Sequence, residues 1–188
     1  MHSEFTGTYT DLYQIAMGQA LYRDGQAGRR GVFDYFFRKL PFGGGFAVFA
    51  GLEEVLAALV DWRFTAEEID WLAGQGFDAS YLGYLRQLRF TGEISAVAEG
   101  EVVFPTEPLL CIEGDVIAAQ LVETLVLNIL NYQSLVATKA ARIRLVAGDA
   151  ILSEFGLRRA QGPAGVPAAR AAFVGKGKEF QIWEPERF

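Results

Sequence analysis

Two adjacent arginines, Arg158 and Arg159, follow an aromatic residue and a glycine in Phe155-Gly156-Leu157-Arg158-Arg159-Ala160-Gln161-Gly162-Pro163. Guanidinium groups beside a flexible turn bind phosphate or carboxylate through paired N–H donors. The apolar run at residues 151–155 reads as a buried strand, and strand ends are where α/β proteins hold ligands. Locally, two readings stay open: an anion site, or a solvated strand terminus. Other reactive groups are few. Cys111 is the sole cysteine and His2 the sole histidine. The chain therefore has no internal disulfide, no thiolate zinc cluster and no internal histidine for acid–base work. Within Leu109-Leu110-Cys111-Ile112, Cys111 reads as a buried small hydrophobe rather than a nucleophile. Pro41-Phe42-Gly43-Gly44-Gly45-Phe46 could cradle a phosphate. It lacks both the Gly-Lys-Ser/Thr ending of a P-loop and the spaced glycines of a dinucleotide fingerprint, and reads as a plain turn. Thr138-Lys139-Ala140-Ala141-Arg142 offers cations from a helix, where a solvated face is the simpler reading.

A length of 188 residues suits one sizeable domain or two small ones, and 51% apolar residues suffice for a core. A net charge of -6 argues against a general nucleic-acid binder. Any basic site must be local, and Arg142, Arg144, Arg158, Arg159 and Arg170 keep that possibility open in the C-terminal third. Residues 1–20 carry no basic region followed by an apolar core, so no signal peptide is expected. The most apolar stretch, residues 116–136, is interrupted by Gln120, Glu123, Asn128, Asn131 and Gln133, so no membrane span is expected. With the single cysteine, a cytoplasmic setting fits.

The elements that would position these groups follow from periodicity. Thr10 or Asp11 caps a first helix with Leu12, Ile15, Ala16 and Ala20 at helical spacing. Residues 32–38 alternate and read as a strand. Residues 47–60 have helical spacing. Thr65-Ala66-Glu67-Glu68 is a capping box for a short helix to about Gly74, and another helix runs near residues 80–88, with Tyr81 and Tyr84 as packing groups. Strands follow at 93–97, 101–104 and 109–113, in a Glu-Gly, Pro-x-Glu-Pro, Glu-Gly rhythm like half of a lipoyl-type β sandwich without its attachment lysine. Residues 116–147 form one bent helix or two, with the bend expected at Asn131-Tyr132-Gln133-Ser134. An alanine-rich helix starts at 164–173.

Taken in order, Thr10-Asp11-Leu12-Tyr13-Gln14, Phe36-Phe37-Arg38-Lys39, Pro41-Phe42-Gly43-Gly44, Ala50-Gly51-Leu52-Glu53, Phe90-Thr91-Gly92, Glu99-Gly100 with residues 105–110, Gln120-Leu121-Val122-Glu123-Thr124, Ala137-Thr138-Lys139-Ala140-Ala141-Arg142 and Phe155-Gly156-Leu157-Arg158-Arg159-Ala160-Gln161-Gly162 resemble the nicotinate phosphoribosyltransferase family. The resemblance implies an α/β (α+β) fold. An N-terminal α/β region with a β-sandwich layer and a long helical segment would span residues 1–147. The first strand of an incomplete α/β barrel would lie within 148–175, and residues 176–188 form a tail unlike the family.

The implied reaction is ATP-coupled transfer of phosphoribose from phosphoribosyl pyrophosphate to nicotinate, giving nicotinate mononucleotide for NAD salvage. ATP and Mg2+ would serve as co-substrate and ion, with no tightly bound cofactor, and the family is commonly homodimeric. By resemblance, Tyr13 stacks on the pyridine ring across the dimer interface and Phe155 covers its other face. Arg158 meets the phosphates, and Asp11 and Arg38 are further substrate-binding positions, Arg38 near the pyrophosphate of the neighbouring subunit's site. The resemblance stops near Gly175. The family's phosphorylatable histidine motif and its carboxylate-binding arginine are not in this sequence. The expectation is therefore a truncated member, inactive alone. Two alternatives stand beside it: a non-catalytic remnant or interaction module, and a quinolinate-type phosphoribosyltransferase.

Overall fold

The structure, a computed structural model, describes residues 5–40, 43–160 and 162–176. His2, Pro41, Phe42, Gln161 and the tail from residue 177 onward, for which a loop, a motif position or a non-family segment was expected, lie outside the described residues. In chain order the elements are helix α1 (Leu12–Arg23), strands β1 (Arg30–Tyr35) and β2 (Ala47–Val48), helices α2 (Leu52–Val60), α3 (Ala66–Gly74) and α4 (Ala79–Gln87), strands β3 (Glu93–Ala96), β4 (Val102–Val103) and β5 (Leu110–Asp115), and helices α5 (Val116–Leu121), α6 (Glu123–Ala147) and α7 (Gly165–Lys176). The mixture of helix and antiparallel sheet is the α+β class that the sequence implied. The chain divides into two compact units, the first within Met1–Tyr35, Glu53–Ala96 and Leu110–Asn128, the second within Phe36–Leu52, Val97–Leu109 and Ile129–Phe188.

The first unit is built on a three-stranded antiparallel sheet of order β1-β5-β3. In its register Cys111 lies between Asp34 and Ser95, and Ile112 between Phe33 and Ile94. Alternation puts Leu110, Ile112 and Gly114 on the buried side of β5. Trp62, Ile15, Leu72, Tyr81, Leu85, Ile117, Leu121 and Leu125 fill the core beside it. Thr65 caps α3 as the sequence predicts: its hydroxyl accepts from the Glu68 N–H, and the Glu68 carboxylate accepts from the Thr65 N–H. Asp115 caps α5 by accepting from the Ile117 and Ala118 N–H groups, each at 2.9 Å.

The second unit holds the short antiparallel pair β2-β4, the later part of α6, and α7. Val48, Ala50, Ala137 and Ala171 form a small-residue core in which backbones approach closely. Gly175 of α7 lies directly on the backbone of Ala137, leaving no room for a side chain.

Three sequence expectations need correction here. Residues 47–60 are not one helix. Ala47 and Val48 pair with Val103 and Val102, and Gly51, at φ +106°, breaks the chain before α2 begins. The long helical stretch is divided at Val122, between α5 and α6, and α6 continues unbroken through residues 131–134. The polar residues taken for a bend act sideways instead. The Ala50 N–H donates to Ser134 Oγ at 3.1 Å, and the Val48 N–H to Thr138 Oγ1 at 2.9 Å, so α6 caps the unpaired edge of β2. Residues 151–155 form no strand. Strand conformation is held by ladder bonds to a neighbour, and no described segment pairs with this run.

Candidate functional site

Phe155 and Arg158 lie on a single exposed segment of the second unit. Arg144, in the last turn of α6, reaches forward to the carbonyls of Gly148 and Ala150, the latter at 2.6 Å, and so fixes the exit of the helix. The chain then runs irregularly to a 3-10 turn at Leu157–Arg159. The Gly156 N–H is received by the Glu154 carboxylate, and Gly156 O accepts from the Arg159 and Ala160 N–H groups at 2.7 and 3.0 Å. This turn rests on the first turn of α7, where a Cβ added at Gly165 would come within 2.8 Å of a Leu157 methyl. Tyr132 of α6 donates its hydroxyl to Ala164 O at 3.1 Å, tying down the same corner.

The result is a presented pair of groups. Phe155 is 75% exposed, and Arg158 is exposed with no hydrogen bond or ion pair to another described residue. A free aromatic face and a free guanidinium three residues apart can take a flat heteroaromatic ring and an oxyanion.

The same unit holds a part-buried ionic junction that the sequence reading missed. Arg170 of α7 donates to both oxygens of Glu99, to Oε2 at 2.6 Å and Oε1 at 3.1 Å. The same Oε1 accepts the backbone N–H groups of Gly51 and Leu52 at 2.5 and 2.8 Å. Burial by itself would raise Glu99, but Arg170 and the two N–H donors outweigh it, and the carboxyl titrates below its ordinary range. The local sequence shows only an ordinary Glu-Gly turn here; Arg170 is 71 positions away. Arg38 also belongs to the second unit and is exposed. Its stretch is held by Thr106, whose N–H donates to Phe37 O at 2.9 Å.

Asp11 and Tyr13 belong to the first unit. Asp11 is the N-cap of α1 in extended conformation, but its carboxylate makes no capping bond and is exposed. Tyr13 is 57% exposed, as are its neighbours Leu12 and Met17 to nearly the same degree. Beneath them Gln14 is buried and donates to Glu123 at 2.6 Å, while the Gln120 amide donates to Gln14 O at 3.0 Å. Thr10 meets Thr124 at 3.2 Å and Tyr9 donates to Asn128 at 3.1 Å. A polar lattice on the first turns of α6 therefore sets where the N-terminus of α1 stands, and Tyr13 with it. The first unit has its own carboxylate node in Glu68, which accepts from the hydroxyls of Thr6 and Thr8 and from the Thr8 N–H besides capping α3. Burial would raise it, but these donors prevail and hold it below the usual carboxylate range.

Cys111 is half-buried on the open side of the sheet, not in the core. Its thiol is pushed up, first by its hydrogen bond with Asp34, then by burial and the Asp34 and Glu113 charges. A nucleophilic thiol needs the opposite environment. Among the described residues no group of three His, Cys, Asp or Glu side chains could hold a metal ion. Among those residues, too, no helix is long and apolar enough to cross a membrane.

The nicotinate phosphoribosyltransferase N-terminal domain family matches residues 8–131. The chain belongs to the nicotinate phosphoribosyltransferase family. It is 48% identical over 175 residues to nicotinate phosphoribosyltransferase 1 of Arabidopsis thaliana, covering 90% of this chain and 31% of that one. The crystal structure of human nicotinic acid phosphoribosyltransferase superposes with a TM-score of 0.82 at 41% identity, covering 88% of this chain and 34% of the human one. The crystal structure of nicotinate-nucleotide pyrophosphorylase from Pyrococcus furiosus superposes less well, with a TM-score of 0.69 at 27% identity, covering 90% of this chain and 36% of that one. The chain thus spans about a third of the length of the relatives it matches.

Family membership extends past the matched domain in one respect. The segment bearing Phe155 and Arg158 lies beyond residue 131, and the 175-residue identity to the Arabidopsis relative shows that the likeness is not confined to the N-terminal domain.

Proposed function

We propose that this chain forms the N-terminal part of a nicotinate phosphoribosyltransferase. That enzyme joins nicotinate to phosphoribosyl pyrophosphate, with ATP hydrolysis coupled to the formation of nicotinate mononucleotide for NAD synthesis. The observation that carries the reading is the identity of 48% over 175 residues to the Arabidopsis enzyme. In this reading Phe155 covers one face of the pyridine ring, Arg158 neutralises phosphate, and Arg38 and Asp11 contribute further substrate contacts. The chemistry asks little more of these residues than placement and charge. Positive charge develops at the ribose anomeric carbon as pyrophosphate leaves, so reactants must be held in line and the leaving group neutralised. Magnesium would arrive on the phosphates of its substrates, as hard cations with few protein ligands do.

Tyr13, exposed beside Leu12 and Met17, supports a homodimer in which the tyrosine is lent to the partner's ring pocket. A cytoplasmic location fits the single cysteine. In this reading the 188 residues catalyse nothing by themselves, since their one histidine is His2 and their ring-facing aromatic stands in water.

The test is a chimera. Residues 1–175 of this chain replace the matching portion of the Arabidopsis relative, and the product is assayed with ATP, magnesium and phosphoribosyl pyrophosphate. Nicotinate should be consumed and quinolinate left untouched. Consumption of quinolinate with carbon dioxide release would favour the quinolinate-type reading, and a folded chimera inert to both acids would favour a non-catalytic module.

A further inference from the structure

The turn at residues 157–159 packs on the first turn of α7, so what holds α7 helps set where Phe155 and Arg158 stand. The helix has two anchors. One is steric: Ala171 and Ala172 are buried, and Gly175 sits on the Ala137 backbone. The other is ionic: Arg170, one residue from Ala171, grips both oxygens of Glu99, whose pair with it has side chains only 33% and 18% exposed. Glu99 is itself fixed by the Gly51 and Leu52 N–H groups at the start of α2, and Gly51 is pressed against Ile129 and Gln133 of α6. The junction therefore joins α7 to the β2–α2 turn and, through that turn, to α6, the helix from which the 155–160 segment departs. An ion pair carrying two extra backbone donors at this degree of burial is short, directional and costly to misplace.

We propose that Glu99 and Arg170 are positioning residues for the substrate-facing segment: their pairing sets the seat of α7 and thereby the presentation of Arg158 and Phe155 to the phosphoribosyl substrate. The inference rests on the nicotinate phosphoribosyltransferase reading for its substrate and on geometry alone for its mechanical part.

Two measurements separate these. Amide hydrogen exchange is compared in the 188-residue chain and its Arg170→Met, Arg170→Lys and Glu99→Gln variants. Arg170→Met keeps the Glu99 bonds to Gly51 and Leu52, and Glu99→Gln keeps an acceptor for them. Both should speed exchange of Arg159, Ala160 and α7 by about tenfold, with Arg170→Lys in between and with exchange in α3, α4 and β5 unchanged. Exchange at wild-type rates around residue 159 in Arg170→Met, or faster exchange throughout the chain, would overturn the mechanical part.

In the chimeric enzyme Arg170→Met should raise KM for phosphoribosyl pyrophosphate about tenfold and leave kcat within about twofold, with Arg170→Lys restoring much of the difference. An unchanged KM in an active chimera overturns the positioning role. An inactive parent chimera counts against the enzymatic reading instead, and the exchange experiment then decides the mechanical part.

Discussion

Tyr81 in the first unit and Phe155 in the second are both large aromatics close to backbone turns, and their surroundings could hardly differ more. Tyr81 is fully buried. Its ring lies 5.5 Å from Tyr22 and 6.2 Å from Tyr84, and its hydroxyl donates to Ile15 O at 3.2 Å. Burial pushes its phenol well above the ordinary range. Phe155 has no such enclosure, and the stretch around it is similar: Leu145, Val146 and Ile151 are 71, 89 and 88% exposed. Tyr81 and its ring neighbours serve the first unit's own core, although Tyr13 and Trp71 of that unit are 57 and 52% exposed. The second sets apolar groups in water, each forgoing about 25 cal/mol per Å² of burial. Exposure on this scale beside Arg158 contributes little to the stability of its own unit and leaves the side chains available for contact.

Substitutions can break this contrast. Leu72→Ala in the first unit removes a fully buried side chain and should cost about 2–5 kcal/mol in urea denaturation. Phe155→Ala should shift the same midpoint by no more than about 0.5 kcal/mol. Comparable losses would mean that Phe155 is packed and the contrast is wrong. Gly175→Val must push α7 off the Ala137 backbone. It should cost about 1–3 kcal/mol and be felt in the second unit first, read as faster amide exchange in α7 than in α4.

The smallest effect sharpens the comparison by showing where the units agree. Glu68 and Glu99 both titrate below the usual carboxylate range in the folded chain. Groups with depressed folded values stabilise above their unfolded value, near about 4.3, and lose that contribution as pH falls through the folded value. Denaturation midpoints should therefore be flat above about pH 5 and decline below it. Thr6→Val with Thr8→Val should flatten the decline in the first unit, and Arg170→Met in the second. A decline untouched by either would show that other carboxylates govern acid stability.

Much of this was legible in the sequence wherever a local rule decides. The Thr65–Glu68 capping box works at three-residue separation, and α3 stands where it predicts. Strands β1, β3 and β5 stand close to where the sequence places them, though only β5 alternates in burial, and the helix after Gly162-Pro163-Ala164 follows its alanine content. Failures came where a distant partner decides. Residues 151–155 have a strand's composition but no neighbour among the described residues to make one. Ser134 and Thr138 look like helix irregularities until β2 lies alongside to use their hydroxyls. Glu99 and Arg170 are unremarkable in their own turns. Sequence motifs name the expected site residues Tyr13, Asp11, Arg38, Phe155 and Arg158, and the structure distributes them, two to the first unit and three to the second.

The central claim is that these residues present part of a nicotinate phosphoribosyltransferase site and do not complete it. The most direct test incubates the purified 188-residue chain with nicotinate, phosphoribosyl pyrophosphate, ATP and magnesium, beside the chimera carrying the remainder of the Arabidopsis relative. Nicotinate mononucleotide should form with the chimera and not with the chain alone. Turnover by the isolated chain at a rate near the chimera's would contradict the account.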